Sequence, residues 1–229
     1  MNFISSPRKN VQLKIGYYGY WVKLTYLGVI SAVLGIHFAL DGKISYALIC
    51  LMISGVCDML DGHVARLKNR TDKEKSYGIQ IDSLADIISF GILPVVIGYT
   101  AVVPFPFARD YGSFGMAINT LISSIYLLSA LVRLAYFNVF ELDLLSKNEK
   151  SAHYEGLPVT SVALIIPITY SICVYFHIPL SPVYYFLLLI LSAAFVLKIK
   201  IPKPTLRFQF FCCLIGLLVI VYIFLSSGV

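Results

Sequence analysis

A chain of 229 residues that is 59% hydrophobic, only 13% charged and +0.83 in mean hydropathy is not an ordinary water-soluble domain. Apolar runs of about 17–25 residues recur, the length that crosses roughly 30 Å of hydrocarbon, so the fold class expected is all-α, a polytopic membrane protein. The net charge of +6 is modest, and no nucleic acid is expected among the partners.

Met1 to Tyr20 carries Arg8, Lys9 and Lys14 among aromatic residues and lacks the apolar core of a signal peptide. It is expected to remain uncleaved, either as an interfacial segment on anionic headgroups or as a disordered tail. The first span is expected over about 21–40, with Asp41-Gly42 as the turn. The second runs from Ile44 to about Arg66 and carries Asp58 and Asp61 at its end. The polar stretch Leu67 to Tyr77 reads as a surface turn. The third span, Gly78 to about Val103, then holds Asp82 and Asp86 in its first two turns. Pro94 should kink it, with a neighbour satisfying the freed carbonyl.

Pro104 to Gly112 is read as a loop, and the fourth span, about 113–140, holds Arg133 near one end. A polar loop from Glu141 to Glu155 leads to Gly156-Leu157-Pro158 and a fifth span ending near His177. Pro179 to Pro182 is expected as a tight turn, and the sixth span ends near Leu197. Lys198 to Pro204 forms a stiff basic connector, and Phe208 to Phe224 the seventh span. The parts are therefore 1–20, an interfacial segment; 21–203, the main membrane domain; and 204–229, a C-terminal helix.

Across seven spans, every Lys and Arg except Lys43 and Arg109 falls on the side of the N-terminus. The positive-inside rule then places the N-terminus and the aspartates in the cytoplasm and the C-terminus outside, in a cell membrane. All five cysteines lie in apolar segments without a paired spacing and read as small buried hydrophobes. The 16 Tyr and 15 Phe are expected mainly at lipid-facing or interfacial positions, with Tyr136 the one candidate for the site. His63 reads as a bystander, and His37 and His177 as span-end residues.

Ionised carboxylates at membrane depth are costly, by a few kcal/mol or more each, so Asp58, Asp61, Asp82 and Asp86 call for an explanation. Asp58 and Asp61 are three apart, and Asp82 and Asp86 four apart. Each pair therefore shares a helix face, with Cβ atoms roughly 5–6 Å apart. If the two helices pack antiparallel, both faces meet as an all-oxygen cluster suited to hard divalent cations. Such ions work with carboxylates and substrate phosphates, and two of them about 3.5–4 Å apart clamp an in-line displacement. Gly62 and Ala65 leave a notch for a bulky ligand, Gly78 opens the next helix without a side chain, and Arg66 is placed to contact a diphosphate. The rival readings are polar glue between helices and a cation or metabolite transporter. A transporter is expected to spread its ionisable groups across the midplane, whereas these gather near one face.

Asp58 to Asp86 reads D-x2-D-G-x2-A-R-x11-G-x3-D-x3-D, which resembles the motif of the CDP-alcohol phosphatidyltransferase family. Every fixed position is present; the spacer, Leu67 to Tyr77, is longer than usual. Within the family, Asp82-Ser83-Leu84-Ala85-Asp86-Ile87-Ile88-Ser89-Phe90-Gly91 is similar to the D-S-L-A-D-x-I-S-F-G run of the phosphatidylserine synthase branch. Arg133-Leu134-Ala135-Tyr136-Phe137-Asn138 and Gly156-Leu157-Pro158 are similar to that branch's R-L-A-R-F-N and G-L-P, with Tyr136 in place of the second arginine.

The resemblance implies a six-helix core, usually in a homodimer, that transfers a phosphatidyl group from CDP-diacylglycerol to L-serine and releases CMP. It implies that Asp58, Asp61, Asp82 and Asp86 ligate one or two Mg²⁺ or Mn²⁺ ions, with Asp86 also the base. Gly62, Ala65, Arg66 and Gly78 would line the donor site, and Arg133 would either pair with an aspartate or hold a phosphate or the acceptor. Other branches, making phosphatidylglycerophosphate, inositol phospholipid or archaetidylserine, are the alternatives.

Overall fold

The computed structural model describes residues 15–101, 113–147, 153–202 and 206–226. Arg8, Lys9 and Lys14, the Pro104 to Gly112 loop and Lys203-Pro204 lie outside the described residues. After a 3₁₀ turn, Tyr20–Val22, helix α1 spans Lys23–Leu40 and α2 Ile44–Arg66. Helix α3, Asp72–Asp86, runs through a π-helical turn, Ile87–Ile92, into α4, Leu93–Ala101. Helix α5 spans Ser113–Lys147, α6 Val162–Tyr175, α7 Leu180–Val196 and α8 Leu206–Ser226. Among the described residues five stretches are long and apolar enough to cross a membrane, and Val159–Tyr175 and Pro182–Val196 are shorter apolar helices. This is an all-α architecture, and the protein is an integral membrane protein.

Several expected boundaries move, each for a local reason. The stretch expected to be a surface turn becomes helix from Asp72 onward, because Thr71 and Glu74 form a capping box. Thr71 Oγ1 accepts the Glu74 N–H at 3.3 Å, and Glu74 Oε2 accepts the Thr71 N–H at 2.9 Å. Asp82 and Asp86 consequently lie in the third and fourth turns of α3, not the first two. Helix α5 continues past residue 140 to Lys147, with Lys147 Nζ 2.7 Å from Asp143 Oδ2 one turn earlier. Pro182 falls inside the first turn of α7, where a proline without an N–H is tolerated. The turn before it is made instead by His177, at φ 54°, with the Ile178 N–H returning to Cys173 O at 2.9 Å.

The loop after α5 and the basic connector after α7 also do more than join helices. His153–Glu155 and Lys200–Pro202 pair as two short antiparallel strands, His153 opposite Pro202 and Glu155 opposite Lys200. Backbone groups of the two connecting segments thereby satisfy one another.

Helix α1, not α3, is the main neighbour of α2. The seam is close because it is lined with small residues: a Cβ at Gly35 would stand 2.9 Å from Cys50 Cβ. Hydroxyls tie it at two levels. Ser31 Oγ donates to Cys50 O at 2.9 Å, and Ser54 Oγ to Gly28 O at 2.9 Å. In lipid, where apolar burial does not distinguish protein from solvent, such packing and hydrogen bonds hold helices together.

Pro94 does interrupt the third span, and the irregularity takes the form of the π turn just before it. Pro94 has no N–H to offer Phe90, whose carbonyl accepts from Tyr126 Oη at 2.5 Å. The carbonyl of Pro94 accepts from Tyr184 Oη at 2.6 Å, and that of Gly98 from Tyr185 Oη at 3.4 Å. All three tyrosines are buried in the core with Phe90, Leu93, Ile97 and Phe195. Many aromatics do lie on the outer face of the bundle as expected, Tyr99, Tyr175 and Phe186 among them; these three tyrosines of the core are buried because a broken helix needs donors from its neighbours, and tyrosine supplies one on an apolar body. Tyr126→Phe keeps the ring and deletes the donor, so it should cost roughly 1–2 kcal/mol in denaturant unfolding of the solubilised protein. Wild-type stability would mean that Phe90 O does not depend on Tyr126.

Candidate active site

Asp58 and Asp61 sit on the last turns of α2, which runs unbroken to Arg66, and Asp82 and Asp86 on α3. The short return between the helices is drawn in by Lys68, whose Nζ lies 3.0 Å from Glu74 Oε1. Asp58, Asp82 and Asp86 each offer a carboxylate oxygen, and these oxygens lie within 4.8 Å of one another. Asp58 and Asp82 are half-buried, and Asp86 is buried. Asp61 stands outside that trio, buried, with its carboxylate next to Asp82 and its Oδ2 accepting the Thr25 hydroxyl at 2.6 Å. The cleft they face has α1 as its third wall, through Thr25 and Gly28, and the π turn as its floor, through Ser89 and Phe90.

Unit charges at such a separation repel by about 3 kcal/mol per pair at an effective dielectric of 20. Among the described residues no lysine or arginine forms an ion pair with any of the four. The donor set is all oxygen, convergent and, among the described residues, without a paired cationic side chain, which fits a hard divalent cation such as Mg²⁺ or Mn²⁺ and does not fit a soft one.

The residues read as a ligand notch separate. A Cβ at Gly62 would meet nothing within 4 Å, so the helix face there is open. At Gly78 the space is taken: a Cβ would stand 3.0 Å from Arg70 Nη1 and 3.3 Å from the Trp21 ring, on which the Arg70 guanidinium stacks at 5.1 Å. Ala65 is half-buried on α2. Arg66 closes α2, and its side chain lies outside what the structure describes.

Arg133, on α5, is buried and donates from Nε to Leu157 O at 3.3 Å and from Nη2 to Gly156 O at 3.4 Å. Gly156 holds φ +79°, where a side chain is strained. Two stretches that carried the family resemblance, around Arg133 and at Gly156-Leu157-Pro158, are therefore partners in space. So are Ser83 and Asn138, whose side chains hydrogen-bond at 2.6 Å between α3 and α5. Tyr136, half-exposed, carries Lys198 Nζ 5.4 Å over its ring. His63 is turned to its own helix, Nδ1 lying 2.9 Å from Met59 O. Thr25 carries no signal in the sequence: a lone hydroxyl in an apolar span has no spacing that announces its partner.

A membrane bundle with this acidic cleft defines a class. The chain belongs to the CDP-alcohol phosphatidyltransferase family, whose model matches residues 22–224. Among individual proteins, it is 36% identical over 151 residues to the CDP-diacylglycerol–serine O-phosphatidyltransferase of Saccharomyces cerevisiae, an alignment covering 63% of this chain and 50% of the relative. It is 30% identical over 180 residues to the archaetidylserine synthase of Methanothermobacter thermautotrophicus, covering 79% and 68%. With the CDP-diacylglycerol–serine O-phosphatidyltransferase of Helicobacter pylori it shares 33% over 142 residues, covering 62% and 51%. The chain thus spans about half the length of the yeast and Helicobacter relatives. No solved structure matches it significantly.

Removing one charge from the trio should relieve repulsion when no cation is present. In chelator-treated protein, Asp86→Asn is expected to raise the melting temperature by roughly 2–4 °C for each kcal/mol relieved. An unchanged or lower melting temperature would show that the three carboxylates are not crowded as anions.

Proposed function

We propose that the protein transfers the phosphatidyl group of CDP-diacylglycerol to the hydroxyl of L-serine, releasing CMP. The observation that carries this reading is the convergence of Asp58, Asp82 and Asp86 in a chain of this family. Serine as acceptor is supported by relatives whose names share it, one made with CDP-diacylglycerol and one an archaetidylserine synthase. The latter favours, as a second reading, an archaeal-type lipid donor with the same headgroup chemistry.

Asp58, Asp61, Asp82 and Asp86 would hold one or two Mg²⁺ or Mn²⁺ ions. When bound, such an ion supplies charge neutralisation for the diphosphate and for CMP as it leaves. The open face at Gly62, with Ala65 and Arg66, receives the cytidine diphosphate end of the donor, and Arg70 closes the neighbouring space at Gly78. Asp86 accepts the proton of the serine hydroxyl as its oxygen attacks the phosphatidyl phosphorus. A P–O bond forms to serine while the P–O bond to CMP breaks, in one displacement. Arg133 acts through the Gly156-Leu157 turn, which it fixes against α5. The bundle sits in the cell membrane with the cleft and N-terminus cytoplasmic and the C-terminus outside, supported by the one-sided placement of Lys and Arg. A homodimer is the assembly we assign, by resemblance to the family.

CMP release from CDP-diacylglycerol, assayed with serine, glycerol 3-phosphate and inositol in parallel, tests the reaction. We expect turnover with serine alone, lost in excess chelator. Release supported by another alcohol reassigns the acceptor, and full activity in chelator removes the metal. Asp86→Asn should retain donor binding but lose roughly 10²–10⁴-fold in turnover; near-normal rates would remove Asp86 as the base.

A further inference from the structure

Asp61 alone among the four aspartates is buried against a side-chain hydroxyl, that of Thr25 at 2.6 Å from its Oδ2. Thr25 lies on α1, outside the Asp58–Asp86 stretch, and lines the same cleft as the carboxylates. The other hydroxyl ties of the α1–α2 seam, from Ser31 and Ser54, end on backbone carbonyls and do no more than bind helix to helix. The Thr25 tie has a different acceptor. A hydroxyl donating to a carboxylate occupies one lone pair of one oxygen, stabilises the anion and fixes the side-chain torsion. Asp61 is also the carboxylate that stands outside the trio formed by Asp58, Asp82 and Asp86, while remaining next to Asp82.

We propose that Thr25 is a positioning residue for Asp61: its hydroxyl ties down Oδ2, so that Asp61 presents its other oxygen to a divalent cation gathered by Asp58, Asp82 and Asp86. This inference rests on the reading of the cleft as a divalent-cation site. Helix α1 then contributes to the site through one outer hydrogen bond, and the α1–α2 seam sets the affinity of a site that lies between α2 and α3. Outer partners of metal ligands characteristically change affinity by about 10–100-fold when removed.

The test is Mn²⁺ binding by the purified, detergent-solubilised full chain, followed by electron paramagnetic resonance of the free ion, with melting temperature in chelator measured alongside. Four proteins are compared: wild type, Thr25→Val, Thr25→Ser and Ser31→Ala. Thr25→Val is nearly isosteric and deletes the donor, and Thr25→Ser keeps it. Ser31→Ala removes one hydrogen bond from the same seam, away from the cleft. We expect Thr25→Val to weaken Mn²⁺ binding about 10-fold or more, and Thr25→Ser and Ser31→Ala to bind within about 2-fold of wild type. Undiminished binding by Thr25→Val, or an equal loss in Thr25→Ser or Ser31→Ala, overturns the inference while leaving the cation site standing. Absence of saturable binding by wild type overturns both.

Discussion

Three carboxylates brought within a few ångströms of one another, with no lysine or arginine paired to them among the described residues, form an arrangement that calls for a cation from outside the chain. Water screens such charges poorly in a half-buried cleft, and repulsion acts on the helices that carry them. The rest of the bundle can be understood as what holds α2 and α3 in place against this repulsion. Helix α1 packs along α2 through small residues and hydroxyl ties, and it also meets the third span. Helix α3 is fixed at its start by a capping box and a Lys68–Glu74 pair, and near its end by Ser83 bonded to Asn138 of α5.

The second half of the third span shows the same division of labour. A π turn and Pro94 interrupt the helix directly after Asp86, so the backbone beneath the cleft is not self-sufficient. Tyrosines from α5 and α7 reach across the core to supply the missing donors. Irregular backbone at this depth is tolerable only where protein covers it, and here the covering residues are among the most buried in the molecule. The floor of the cleft is thereby tied to helices that contribute no carboxylate to it.

Family membership and cleft geometry bear on different questions. The match over residues 22–224 assigns the class, and the convergence of carboxylates supplies a physical reason for a divalent cation. The pairing of Arg133 with Gly156 and Leu157 joins two stretches of sequence that were similar to one branch of the family, and it converts a textual likeness into a contact.

How much of this was legible beforehand follows from the range of the forces involved. Composition and run length determined an all-helical membrane protein, because hydrocarbon thickness sets helix length and forbids unpaired backbone. Helical spacing likewise placed Asp58 with Asp61 and Asp82 with Asp86, since three and four residues return to one face. The capping box at Thr71 and Glu74 is equally local, but it lies inside a charged stretch whose composition resembles that of a turn. Contacts between distant segments left no such periodic trace. Thr25 at Asp61, Tyr126 at Phe90, Arg70 over Gly78 and the paired strands at 153–155 and 200–202 depend on which helices become neighbours. That choice is made by packing and by the need to satisfy freed backbone groups, and only the assembled bundle decides it.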